Sequence, residues 1–347
     1  MSSSFKAGYF QTWEFPTKDE VLIHDQLYGD HLVTEPVLVE LLKSPAVLRL
    51  QGICQHGVTG FLGLSPRVTR LEHSVGAFLL VRSVAASLAE QIAALLHDIS
   101  HTTLSHVIDW AMSKPGEESF HEVHKARYIK MTNLPAILAK HGFGGLEPLD
   151  ETLFPLVERP APHLCADRLD YALRDTVGCD KLPLPRAREI FASLVAFPDV
   201  SHAGRLLVLK DAELALSLAR AYLAMDRDVW SNRANVDMYA RTGRVIATVI
   251  NQGCIDEEQL WKLSDDDFWA LLRKVADPES LKALTRLETE GLPQEEGLDL
   301  PRAAKIRTID PDVLAQDADT PRPLSVILPS WGDERKQYIL GREATMV

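Results

Sequence analysis

Four residues constrain this chain more than any others: His73, the adjacent pair His97-Asp98, and Asp167. Two imidazoles and two carboxylates make a ligand set suited to a first-row divalent metal and too rich in nitrogen for calcium. The pair closes an apolar run, Ala93-Ala94-Leu95-Leu96, and His101 and His106 follow within the next turns, so that His97 and His101, four apart, share a face if the helix continues. Asp167 lies far downstream, in the segment Cys165-Ala-Asp-Arg168-Leu-Asp170-Tyr171. Ligands so separated predict a metal bound between helices, with further cationic groups facing an anionic substrate.

The chain has 347 residues, 46% of them hydrophobic, enough for one large core or two modest ones. Its formal net charge of -12 argues against broad binding to nucleic acid or anionic membranes, and leaves room for a small phosphorylated ligand in a local basic pocket. The four cysteines, Cys54, Cys165, Cys179 and Cys254, show no CxxC spacing, which suits a reduced intracellular protein. The N-terminal Met-Ser-Ser-Ser-Phe-Lys lacks an apolar signal core, and no apolar stretch is long enough to span a bilayer. These features predict a cytoplasmic or nuclear protein without a membrane or stable nucleic-acid partner; they are compatible with a homo-oligomer.

Helical patterning dominates. Pro36 and Pro45 bracket an apolar stripe over 35–45, and 71–96 carries apolar positions on several faces, as one or two buried helices do. Residues 114–118 predict a loop. A helix is expected over 161–178, starting after Pro160 and Pro162 and ending near Gly178. Residues 211–227 and 234–251 are strongly helix-like, and 257–275 suggest two short acidic helices. The tail differs: 303–314 and 324–329 predict short strands between segments rich in Asp, Pro, Gly and Glu. The expectation is a mainly α fold, with a helical domain over 1–275 and a small mixed C-terminal α+β lobe over 276–347.

The order Arg70-Leu-Glu-His73, then His97-Asp98, then Asp167 resembles the HD-domain metal-dependent phosphohydrolases, most nearly their deoxynucleoside triphosphate triphosphohydrolase branch. The resemblance spans roughly residues 20–250. It starts at Ile23-His-Asp25-Gln-Leu-Tyr-Gly29 and continues through Leu50–Gln55, Arg70–Gly76, His97–His106, Ser119–Glu122 and Asp167–Asp175, with a fainter match at Tyr239.

The resemblance implies an HD helical core and a metal on His73, His97, Asp98 and Asp167. Iron is the first candidate, zinc, manganese and nickel are alternatives, and magnesium is a further candidate as an ion accompanying the substrate phosphates. It implies active-site roles for His101, His106 and His121, with His124 competing for the last. Arg70 and Arg168 match positions that hold phosphate oxygens, a task suited to a planar, permanently charged guanidinium. Gln55, Tyr171 and Asp175 match contacts to the nucleoside sugar, and Tyr239 a further substrate contact. The implied reaction is attack of metal-activated water on phosphorus, releasing deoxynucleoside and tripolyphosphate from a dNTP. A nucleoside monophosphate phosphatase and a non-catalytic nucleotide sensor are the alternatives.

Two positions depart from that branch. After Gln55 it carries an apolar residue that helps exclude a ribose 2′-hydroxyl, where this chain has His56. Upstream of Tyr239 it places an arginine for the outermost phosphate, where this chain has Ser231, with Arg233 out of register.

Overall fold

The computed structural model describes residues 4–114, 116–301 and 304–346. Its central element is helix α1, Arg70–Ser83, buried on all sides from Arg70 to Val81. Thr69 starts it. The Thr69 hydroxyl accepts from the Glu72 amide and the Glu72 carboxylate accepts from the Thr69 amide, a reciprocal cap that satisfies two otherwise orphaned donors. Within α1, Phe78, Leu79 and Leu80 are fully buried, each contributing about 1.5–3 kcal/mol relative to exposure. Helix α2, Leu88–Leu96, packs on α1, as does a third helix that follows the short α3, Val107–Met112. This is α4, Ala166–Gly178.

A second layer closes the site. Helix α5, Ala212–Met225, packs on α4; a π-helical turn over Asp226–Trp230 then leads into α6, Arg233–Asn251, which packs on α3. The expected helices over 71–96, 211–227, 234–251 and 257–275 are present, the last as Gln259–Lys262 and Asp265–Val275. Over 161–178 the helix begins only at Ala166. The stripe over 35–45 forms Pro36–Leu42, and Pro45 opens another short helix capped by Ser44. The 114–118 segment is non-helical where described; Pro115 lies outside the described residues.

Two four-stranded sheets flank the helices. The first is an antiparallel meander of β1 (Ser4–Lys6), β2 (Gln11–Glu14), β3 (Val21–Asp25) and β4 (Gly29–Val33). Sequence patterning did not anticipate it, because three-to-five-residue strands show too few alternations. Its β3 buries Val21, Ile23 and Asp25 on one face, so the sheet delivers a carboxylate to the helical core.

The C-terminal part of the chain is mixed α+β as expected, but its sheet also takes two strands from within the expected helical domain over 1–275. Strands β5 (Leu194–Phe197) and β6 (Leu206–Leu209) form an antiparallel hairpin. Strand β7 (Asp312–Val313) joins β6 in parallel, and β8 (Arg322–Pro323) completes the sheet. Within 303–314 only Asp312–Val313 is strand, Ala303 being outside the described residues. The 324–329 segment is not a strand: Leu324–Ile327 is helical, and Pro329 opens the helix Pro329–Glu343. Asp310 overrides the local β-propensity there by accepting from the Ser325 amide (2.8 Å) and hydroxyl (2.5 Å).

Candidate metal centre and substrate cavity

Three elements bring the predicted ligands together: α1 carries His73, the turn leaving α2 carries His97 and Asp98, and the first turn of α4 carries Asp167. His73 Nε2 lies 3.2 Å from His97 Nε2, 3.1 Å from Asp167 Oδ1 and 3.4 Å from Asp98 Oδ2. His97 Nε2 is 3.5 Å from Asp167 Oδ1 and 3.8 Å from Asp98 Oδ2. Ligands about 2.0–2.2 Å from one ion stand roughly 3.0–3.5 Å apart at adjacent corners of its polyhedron, so His73, His97 and Asp167 could hold a divalent transition metal, with Asp98 Oδ2 beside them and paired to Arg70.

The other ring nitrogens fix the orientation. His97 Nδ1 donates to Ala94 O at 2.7 Å and His73 Nδ1 to Asp170 Oδ2 at 2.9 Å, which turns both Nε2 atoms to the common point. Asp170 is itself held: Arg174 Nε reaches its two oxygens at 2.9 and 3.0 Å and Tyr28 Oη donates to Oδ1 at 2.8 Å. Arg174 also reaches Asp25 Oδ2 at 2.6 Å, and Gln11 Nε2 donates to the same atom at 2.7 Å. The 23–29 motif and the first sheet therefore brace the metal ligands. Gly76 admits this network, because a Cβ there would stand 1.8 Å from Asp170 Oδ1.

The electrostatics favour cation capture. Burial pushes His73 down, but the hydrogen bonds of Asp167 and Asp170 outweigh it and lift it to about 10. Burial opposes ionisation of Asp167, and the two imidazoles outweigh it and hold its carboxyl well below the usual range. Without a metal the site holds a proton that a cation must displace.

Beside it stands a second group of imidazoles. His101, His106 and His121 place ring nitrogens within 4.8 Å of one another, and the His101 and His121 rings stack at 3.6 Å. His97 and His101 do not share a helical face as their spacing suggested. The helix ends at Leu96, and the following turn swings His101 away to His121. His124 instead packs on Phe120 at 4.4 Å, so His121 is the one that joins the group. Burial, aided by the Arg70 charge, pushes His101 well below its ordinary value, and burial pushes His121 down to about 3. Burial thus disfavours the charged form of both rings.

A cavity of about 710 Å³ opens next to these groups, a size suited to a nucleotide. Gln55, His56, Arg70, His106, Tyr171, Asp175 and Tyr239 all line it. Tyr171 and Asp175 project together from α4. Arg70 Nε donates to Ser105 Oγ at 3.0 Å, and its Nη1 pairs with Asp98. Gly57 holds a φ of +48°, and a Cβ there would lie 2.6 Å from Leu104 O, so glycine lets the 55–57 turn meet the 104–106 turn.

Arg168 does not line this cavity. Its Nη1 is occupied by Arg159 O at 2.9 Å and His163 O at 2.8 Å, acceptors supplied by the turn before α4. Ser231 does line it, with a cation the sequence reading missed. Arg307 Nη1 donates to Ser231 Oγ at 3.2 Å, and Lys305 lies beside it on the same wall. Arg233 is not part of the lining. Also missed was Asp265, buried and accepting from Cys54 N and Leu104 N, both at 2.7 Å; it ties the two turns that carry His56 and His106. Neither residue had a local sequence signal, since each acts across a long chain separation.

Comparison with known proteins agrees with this architecture. Residues 70–170 match the HD domain family. The chain is 61% identical over 342 residues to the metal-dependent phosphohydrolase cns2 of Cordyceps militaris, covering 99% of both chains. It is 25% identical over 151 residues to the deoxynucleoside triphosphate triphosphohydrolase SAMHD1 of Danio rerio, covering 37% of this chain and 24% of that one. A crystal structure of a phosphohydrolase from Bacteroides thetaiotaomicron shares the fold, with a TM-score of 0.64 at 19% identity over 88% of this chain and 94% of that one. Identity of this degree with cns2 along the full length decides the family: the chain belongs to the HD-domain metal-dependent phosphohydrolases.

Proposed function

We propose that this hydrolase cleaves phosphate from a nucleotide, with a nucleoside monophosphate as the best-fitting substrate. The observation that carries it is one cavity with two chemically different walls. Arg70 and His106 lie on the side of the metal ligands, and Tyr171, Trp230 and Tyr239 offer aromatic surface for a nucleoside. His73, His97, Asp98 and Asp167 would hold a divalent metal, with iron the first candidate, and when bound it would supply Lewis-acid chemistry, lowering the pKa of water and polarising a phosphoryl oxygen. Arg70 binds the phosphoryl group and steadies Asp98. Nδ1 of His106 lies 2.9 Å from Asp109 Oδ2, which orients the ring in the cavity wall. His106 and His121 hold and return the proton that the leaving oxygen needs.

Charge in the cavity supports the monophosphate. Among the described residues, Arg70, Lys114, Lys305 and Arg307 contribute four positive charges to its lining, and Asp109, Glu117, Glu118 and Asp175 contribute four negative ones. That balance suits a dianion better than a triphosphate with up to four charges. The partial likeness to SAMHD1 supports dNTP hydrolysis to tripolyphosphate as the second reading. Unpaired cysteines, and no described helix long and apolar enough to cross a membrane, support a cytoplasmic setting.

Phosphorus NMR of products tests both readings, using nucleoside mono- and triphosphates with iron, manganese, zinc or magnesium supplied. Orthophosphate from monophosphates is the expected result. Tripolyphosphate from dNTPs moves the assignment to the second reading. No turnover of any nucleotide ends both.

A further inference from the structure

One wall of the cavity is built from polar atoms that the protein leaves unsatisfied. Gln55 Oε1, His56 Nε2 and Asp175 Oδ1 are each buried and make no well-formed hydrogen bond to any described residue. All three residues line the cavity. His56 and Asp175 are 6% and 3% exposed, so water does not freely serve them. Their facing atoms are 3.1 Å apart but misaligned, so the contact satisfies neither. Native proteins seldom leave buried polar atoms unpaired, and clusters of them point to a ligand.

The wall is rigid. Trp230 Nε1 donates to Asp175 Oδ2 at 2.9 Å, which leaves Oδ1 turned toward His56. Trp230 is in turn wedged edge-on against Tyr171 and Tyr222, at 5.4 and 4.8 Å. His56 is fixed from the other side, where its carbonyl accepts from Thr59 Oγ1 at 3.0 Å.

The chemistry of the set is specific. Gln55 Oε1 and Asp175 Oδ1 accept hydrogen bonds, while an imidazole Nε2–H donates one. A hydroxyl both donates and accepts. One hydroxyl bridges Nε2 and a carboxylate oxygen, and a vicinal pair satisfies all three atoms.

Resting on the nucleotide reading, we propose that His56, Asp175 and Gln55 select a ribonucleotide by bonding its free 2′-hydroxyl, so that a 2′-deoxy substrate is rejected. A deoxyribose leaves His56 Nε2 and Asp175 Oδ1 buried and unpaired. Sites built to hydrogen-bond a substrate hydroxyl discriminate strongly against analogues that lack it.

The test compares adenosine 5′- and 3′-monophosphates with their 2′-deoxy counterparts on metal-loaded full-length protein, with 4-nitrophenyl phosphate as a substrate lacking a sugar. The expected result is a kcat/KM preference for ribose on the order of a hundredfold or more. His56→Leu is expected to bring that ratio near unity, mainly by loss on the ribonucleotide. Asp175→Asn is a second variant, which keeps an oxygen beside Trp230 and reduces the ratio less. Thermal midpoint and metal content of both variants separate lost recognition from lost folding, and the wild-type ratio needs no variant at all. Equal turnover of ribo and deoxy substrates, or a deoxy preference, overturns this inference while the nucleotide reading stands. Turnover of 4-nitrophenyl phosphate with none of any nucleotide overturns both.

Discussion

Asp170 Oδ2 sits 2.9 Å from His73 Nδ1, and neither atom is exposed. The carboxylate does not face the metal position, yet it decides which nitrogen of His73 does. Asp170→Asn keeps the shape and replaces a charged acceptor with a neutral amide. Loss of such a partner typically costs tenfold to a hundredfold in metal affinity. The expected outcome is that loss, measured by competition with a chelator, with helical circular dichroism preserved. Unchanged affinity would leave Asp170 as a partner of Arg174 and Tyr28 alone.

Metal binding is expected to release protons. In the metal-free fold His73 is raised from 6.5 to about 10, and His97 is raised also, burial being outweighed by Asp98 and Asp167. A metal takes only the neutral rings, so uptake at pH 8 expels protons and affinity climbs with pH. Titration calorimetry in buffers of different ionisation enthalpy reads the proton count. The same shift sets the stability of stripped protein. The His73 contribution is complete below pH 6.5 and is lost as pH rises through about 10. The thermal midpoint of stripped protein should therefore fall across that window, and that of loaded protein should not follow it.

Asp265 illustrates a different dependence. Leu104 and Ser105 have φ of 54° and 50°, a strained left-handed pair just before His106. The strain is held by Asp265 on the Leu104 amide and by Ser105 Oγ on Cys54 O at 2.7 Å. Asp265→Ala leaves two buried amides without an acceptor, at about 1–3 kcal/mol each. The thermal midpoint should drop, and kcat should fall at least about tenfold as His106 loses its placement. Bound metal, by elemental analysis, should stay stoichiometric because no ligand rests on this turn.

The candidate metal ligands were legible because their residue types come in the order of the HD series. Two carboxylates and two histidines on apolar-patterned segments have few other reasons to occur together, and Arg70 and Gln55 sit within the same motifs. Asp170 was not legible as a brace, since an aspartate on a polar-patterned helix looks like solvent-facing charge until Arg174 and Asp25 are seen against it. Spacing misled at His101, where a turn replaced the expected helical continuation. It also misled at 324–329, where Asp310 captures the Ser325 amide and starts a helix in a β-branched stretch. Arg168 has the right type and position on α4, but two backbone carbonyls reach it first.

Arg307 is the clearest case of a contact that only folding creates. The position upstream of Tyr239 is Ser231, which carries no charge, but Ser231 Oγ accepts from Arg307 Nη1 across 76 residues of chain. Burial raises the Tyr239 hydroxyl above its ordinary value, and the charges of Arg70 and Arg307 both work against that rise. Arg307 is also 3.7 Å from the buried Asp226, so a bracing role competes with a substrate role. The two separate in measurement. A substrate role predicts that Arg307→Ala raises KM for an anionic substrate about tenfold or more, weakens in effect at high salt, and is partly rescued by Arg307→Lys. Arg233→Ala, outside the cavity, should leave KM unchanged. A bracing role predicts instead a lower thermal midpoint with KM intact, since Asp226 still has Ser231 Oγ at 2.7 Å and Tyr338 Oη at 2.9 Å but loses the guanidinium at 3.7 Å. A rise in KM at an unchanged midpoint would place the C-terminal lobe in direct contact with substrate.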